Sequence, residues 1–144
     1  MNIFEALRED HDKQRTLVDQ LIATQGNSDD RNRLFDSLKS ELQIHAKAEE
    51  RYFYIPLIES DLTQEKARHS IAEHHEIDEL IEKLEDTDFS SPAWVGYAEK
   101  LRYKVRHHLD EEEHEVFQLA GKALDDEQKT SLADDYRQMA KSER

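Results

Sequence analysis

Sliding the sequence against itself by 63 residues brings polar as well as apolar positions into coincidence. His11 falls on His74, His45 on His108, Glu49 on Glu112 and Glu50 on Glu113, while Leu17, Val18, Leu21 and Leu38 fall on Leu80, Ile81, Leu84 and Leu101. Apolar coincidences alone are expected between any two helical hairpins, because both keep a 3.6-residue period. Matched polar residues on apolar stripes are not. In both halves the sequence His, three residues, Glu, Glu, two residues and an apolar pair recurs, as HAKAEERYFY at 45–54 and HLDEEEHEVF at 108–117. Each half therefore reads as a hairpin of two helices, and two such hairpins bury their apolar faces only by packing on each other.

The rest of the chain supports an all-α reading. Only 3 Gly and 2 Pro interrupt a sequence rich in good helix formers. Asn2 with Glu5 marks a first helix running to Thr24, and Gln25 to Asp29, with Gly26, forms a turn. A second helix from Asp30 places Leu34, Leu38, Leu42, His45, Glu49, Tyr52 and Phe53 on one stripe, and Pro56 is expected to kink or end it before a break near Ser60. Thr63 is expected to cap a third helix with Ala67, Ile71, His74, Ile77, Ile81 and Leu84 inward. Ser91 and Pro92 open a fourth, carrying Leu101, Val105, His108, Glu112 and Val116, which Gly121 is expected to end. Asp125 with Gln128 starts a last amphipathic helix using Leu132, Ala133, Tyr136 and Met139. The expected architecture is a single domain over 1–144: an antiparallel up-down four-helix bundle over 1–120 with an additional C-terminal helix over about 125–143.

Charge narrows the function. The chain has 144 residues and a formal charge of -14, which repels nucleic-acid phosphates and anionic lipid headgroups, so no nucleic-acid or membrane partner is expected. The most apolar run, Tyr52 to Ile58, is too short to span a bilayer, and the opening residues lack the features of a signal peptide, which points to the cytoplasm. With no cysteine, any metal must be held by His, Asp or Glu.

Spacing brings such residues together. His11 and His45 are 34 residues apart, as are His74 and His108, and both midpoints fall in predicted turns. Residues equidistant from the turn of an antiparallel hairpin lie level. The connection near residue 60 is 15 residues after His45 and 14 before His74, which levels the two hairpins as well. Four histidines converge on one layer, and Glu49 and Glu112 stand one turn beyond His45 and His108 on the same faces. One buried His is ordinarily a hydrogen-bonded core residue, and one Glu four residues after a His is ordinarily surface decoration. Six in two matched sets are better explained by metal: four imidazoles and two carboxylates suit a pair of first-row transition ions, with the glutamates shared. His75 and His107 point about 100° away from their neighbours, towards outer or surface positions. His69 and His114 lie off the apolar stripes, and apart from Glu112 the acidic run Asp110 to Glu113 reads as a solvated face.

The order of a lone His, HxxxE, a lone His and HxxxE across four helices resembles the hemerythrin family, specifically its bacterial HHE cation-binding domains, over residues 1 to about 120. The resemblance implies two iron ions joined by a bridging oxo, hydroxo or water, although other divalent metals would also suit the residues. His11 and His45 would hold one iron, His74 and His108 the other, and Glu49 and Glu112 would bridge them. An open iron position would then meet dioxygen, peroxide or nitric oxide. Oxygen-carrying hemerythrins have a further His where this sequence has Asp78, and their second bridging carboxylate is usually an Asp one residue further from its His. Asp78 is either a weak ligand or water-binding group, or an outer or surface acid. Fewer histidines and an extra open site favour reaction over reversible oxygen transport. The resulting expectation is a di-iron protein that binds and reacts with small oxidants in oxidative or nitrosative stress, with a non-catalytic oxygen- or iron-binding, storage or sensing protein as the alternative.

Overall fold

The computed structural model describes residues 1–144 and contains helices only. Helix α1 (Ile3–Ile22) starts at an Asn2/Glu5 capping box, in which each residue's side chain satisfies the other's backbone N–H. After a turn in which Gly26 takes a left-handed φ of 59°, α2 (Asp29–Glu49) begins at Ser28, whose hydroxyl caps Arg31 N–H. Helix α3 (Gln64–Glu85) follows, then α4 (Pro92–Glu111), capped by Ser91 with Pro92 in the first turn, where its missing N–H is harmless. Helix α5 (Asp126–Glu143) opens at the Asp125/Gln128 capping box. Thr63 precedes α3 without capping it: its hydroxyl donates instead to Leu57 O, closing the connection behind it.

The second helices of both hairpins widen near the middle of the molecule. Beyond Glu49 the chain makes a turn of π-helix (Glu50–Tyr54) and a short α segment (Ile55–Ile58), and beyond Glu111 it makes a matching π turn (Glu112–Val116) and then Phe117–Ala123. Pro56 sits in the first turn of the short α segment Ile55–Ile58, and the helical run ends two residues later at Ile58. The proline's lack of an N–H and its crowding of the preceding turn are absorbed where i to i+5 pairing already replaces i to i+4. The extra residue per turn moves the buried face along by one, so Phe53 and Tyr54 are fully buried while Tyr52 is only partly so. Gly121 sits inside the final helical segment, which ends at Ala123 where Leu124 turns extended.

Helix α1 packs against α2 and α4, α3 against α4 and the end of α2, and α5 lies across α1 and α2. This is the antiparallel four-helix bundle with an additional helix. Its apolar core is divided in two. Val18, Leu38, Ile81, Trp94 and Leu101 belong to one cluster, next to the turns, and Leu7, Phe53, Leu57, Phe117 and Ala133 to the other, beneath α5. At the turn end the buried Arg31 donates to Thr24 O at 2.6 Å and Phe89 O at 2.5 Å, tying the two hairpin turns together. Between the two clusters lies a buried polar layer. No helix is long and apolar enough to cross a membrane.

Candidate metal centre

All six residues expected to bind metal lie in that layer, and all are buried: His11, His45, Glu49, His74, His108 and Glu112. Donor atoms of Glu49, His74, His108 and Glu112 lie within 4.8 Å of one another, and so do those of His11, His45 and Glu49. Glu49 Oε1 is 3.4 Å from His45 Nε2 and 3.3 Å from His74 Nε2, while its Oε2 is 3.8 Å from His11 Nε2. Glu112 spans the same gap from the opposite side, with Oε1 3.4 Å from His11 Nε2 and Oε2 3.3 Å from His108 Nε2. Each carboxylate therefore reaches imidazoles of both hairpins. His74 Nε2 and His108 Nε2 converge to 3.1 Å.

The outward nitrogens explain this orientation. His11 Nδ1 lies 2.7 Å from Glu113, His45 Nδ1 2.5 Å from the Tyr136 hydroxyl, His74 Nδ1 3.4 Å from Glu50 and His108 Nδ1 2.9 Å from Glu73. An acceptor at each Nδ1 favours the Nδ1–H tautomer and turns the Nε2 lone pair inward, as metal-binding imidazoles require. These partners follow the repeat. Glu50 and Glu113 correspond, as do Asp10 and Glu73, but in the first half Tyr136 intervenes, donating to Asp10 while facing His45.

Glu113 is therefore not simply part of a solvated acidic face. It is largely buried and holds His11, with Arg15 donating to it at 3.0 Å. Tyr54, fully buried, donates to Glu112. His75 and His107 lie outside the layer, His69 and His114 are exposed, and Asp78 is an exposed acid at the layer's edge. A third cluster of His69, Glu73 and Glu111 gathers outside α3 and α4. There Glu73 is already committed to His108.

The donor set fits a cation. His11 Nε2, His45 Nε2, both Glu49 oxygens and Glu112 Oε1 are buried without a hydrogen-bond partner, and each can offer a lone pair. Six carboxylates, Asp10, Glu49, Glu50, Glu73, Glu112 and Glu113, sit in or directly around the layer. With neutral imidazoles, Arg15 pairs Glu113 and Arg144 pairs Asp10, and the negative charge of the other four is uncompensated unless cations enter. Without metal, protons serve instead. Burial disfavours an imidazolium at His11, but Glu112, Glu113 and Glu49 outweigh it and raise the ring well above its ordinary range. At His108 burial again opposes, and Glu112 and Glu73 push the ring up to about 10. His45 and His74 are raised by the same contest between burial and nearby acids. Burial alone would raise Glu49, yet the His45 charge and the close approach of Glu112 and His11 hold it well below the carboxylate range.

Metal must displace these protons, because it binds neutral imidazole. At pH 7 loading is expected to release protons from these rings, up to about three per chain because His74 and His108 can share only one between their facing Nε2 atoms, and to tighten as pH rises. Calorimetric titration in buffers of different ionisation enthalpy reads this number, and a buffer-independent heat would contradict it. The metal-free protein has the opposite dependence. For His108, raised from 6.5 to about 10, the contribution to stability is complete below 6.5 and fades as pH climbs through 10.

The family model described as Hemerythrin HHE cation binding domain matches residues 2–120. The chain belongs to the hemerythrin HHE family. Members of this family bind metal ions, typically iron. The HHE fold is also that of a solved protein from Mycobacterium kansasii, described as a hemerythrin HHE cation binding domain-containing protein. The two share a TM-score of 0.89 and 24% sequence identity, over 99% of this chain and 87% of that one. No curated protein matches the chain. The HHE match stops at residue 120, so Tyr136 on α5 belongs to a part of the chain that the family pattern does not describe. In the sequence Tyr136 reads only as an apolar-stripe residue. Asp10, Glu50, Glu73 and Glu113 carried a usable signal, since each pair recurs at the 63-residue offset.

Proposed function

We propose that this chain is a di-iron protein that binds and reacts with small oxidants: dioxygen, peroxide or nitric oxide. His11 and His45 serve one ion, His74 and His108 the other, and Glu49 and Glu112 bridge them. The observation that carries this reading is the set of buried, partnerless lone pairs on both sides of two carboxylates that each reach both hairpins. Iron would supply a redox-active Lewis acid there. The protein's own part is to aim the Nε2 lone pairs through the four outward hydrogen bonds and to keep bulk water out. Phe117 does the latter at His11, with its ring stacked at 6.0 Å, and Tyr54 does so at His74 at 5.5 Å.

The test begins with anaerobic iron reconstitution, which is expected to give about two ions per chain and, after oxidation, an oxo-to-iron charge-transfer band. One ion or fewer would sink the paired centre. The reduced, loaded protein is then exposed to oxygen, and the oxidised protein to peroxide. Oxygen reaction without a long-lived adduct, together with peroxide consumption, supports reactive chemistry. A stable reversible adduct would move the protein to the carrier or sensor class, and full loading without reactivity would move it to iron storage.

A further inference from the structure

Gln14 stands one turn after His11 on α1, is 2% exposed, and has a side-chain Nε2 with no hydrogen-bond partner. The other partnerless atoms of the layer are imidazole nitrogens and carboxylate oxygens, whose lone pairs a cation satisfies. An amide NH2 cannot be satisfied in this way, because it is a donor and requires an acceptor. Metal would therefore resolve the rest of the layer and leave Gln14 unresolved. The indole N–H of Trp94 is also without a partner, but it lies in the apolar cluster at the turn end, beneath the Arg31 guanidinium, 4.4 Å above its ring.

Gln14 does not face a wall. With His45, His74, His108, Ile77 and Asp78 it lines a cavity of about 10 Å³, on the order of what a single water-sized group needs. All four bundle helices contribute to this space, three of the four layer histidines border it, and Asp78 stands at its solvent edge. A cavity of this size between imidazoles, with one buried donor and apolar side chains around it, selects by size and by polarity. It admits one water or a diatomic molecule, and it favours a guest that presents a lone pair to Gln14 over one that is apolar throughout.

We infer that this cavity is a binding position for a single diatomic ligand, and that Gln14 donates a hydrogen bond from Nε2 to the lone pair of that ligand. Gln14 is then a specificity-determining residue that touches the ligand. This assignment rests on the metal centre proposed above. It gives Asp78 a place at the mouth of the cavity, not within the inner donor set. It also predicts that Gln14 contributes little to folding, since its donor has no partner within the protein.

The test uses the full chain, Gln14→Leu, and nitric oxide as the probe. Leucine fills similar space and removes the donor. Iron content should be unchanged, and the metal-free variant should melt at or above the wild-type temperature because a buried unpaired amide has been removed. In the reduced, iron-loaded variant the dissociation of nitric oxide should accelerate about 3- to 10-fold, the equivalent of one hydrogen bond. The N–O stretch should move to higher frequency. An unchanged stretch and dissociation rate at full iron loading would overturn the assignment, as would a lower melting temperature of the metal-free variant, which would mean that Gln14 has a structural partner. If wild-type protein fails to load iron, the metal centre itself is at fault. If wild type loads and binds nitric oxide but the variant behaves identically, only the role of Gln14 is lost.

Discussion

Replacing His108 with alanine is expected to leave at most about one tightly held ion per chain, whereas His107→Ala retains the full complement. The two rings are neighbours in sequence but not in environment. The His108 side chain is 3% exposed, with Nε2 3.3 Å from Glu112 and Nδ1 2.9 Å from Glu73. The His107 side chain is 53% exposed, stacks on Tyr103 at 5.8 Å and has Nε2 3.2 Å from Glu111 on the outer face. Losing His108 also strips Glu112 and Glu73 of a cationic partner inside the protein, which should destabilise the metal-free chain by roughly 3 kcal/mol. Elemental analysis after iron loading, with denaturant unfolding of the metal-free variants, reads both effects. Full loading of His108→Ala with an empty His107→Ala would mean that α4 is rotated by one residue from the register described, and Glu111 would then replace Glu112.

That register is legible in the sequence. His108 shares a stripe with Leu101, Val105 and Val116, and the repeat pairs it with His45, whereas His107 pairs with Ile44. The all-helical bundle was legible for the same reason, because caps, turns and periodicity each spoke for the same boundaries. The periodic argument failed where its constant period failed. It placed Tyr52 on the buried stripe, but the π turn after Glu49 adds a residue to that turn and buries Tyr54 instead, bringing its hydroxyl to Glu112. The outward partners were missed for a different reason. An acid in a charged run looks solvated when it is read alone, and whether Glu113 or Glu73 faces water depends on which helix lies alongside. Tyr136 was further out of reach, because α5 has no counterpart in the repeat and the docking of its apolar face has no local signal.

Tyr136 nevertheless carries the second large expected effect. Tyr136→Phe should weaken metal binding by about 10- to 100-fold and lower the stability of the metal-free protein by about 1–3 kcal/mol. The hydroxyl is buried between two polar groups: it donates to Asp10 and lies 2.5 Å from His45 Nδ1, which can only donate in return. This fixes His45 as the Nδ1–H tautomer, with its Nε2 lone pair directed into the layer. In phenylalanine the ring packs as before, but His45 Nδ1 loses its acceptor, and Asp10, 3.8 Å away, is too distant to replace it. The ring is then free to carry its proton on Nε2, where a cation would have to bind. Asp10 loses a donor as well. Burial pushes its carboxyl up, and His45, Tyr136 and Arg144 together hold it far below its ordinary range, so removing one of the three leaves a buried charge less well paired. Arg144→Ala separates this effect from simple loosening of α5, because Arg144 anchors the same helix to Asp10 and Glu41 without touching His45. It should lower stability modestly and leave metal affinity close to wild type. Competition with a chelator of known affinity measures both variants. If Tyr136→Phe binds metal within about twofold of wild type, or if Arg144→Ala weakens it as much, the hydroxyl does not orient His45 and α5 acts on the layer only as a cover.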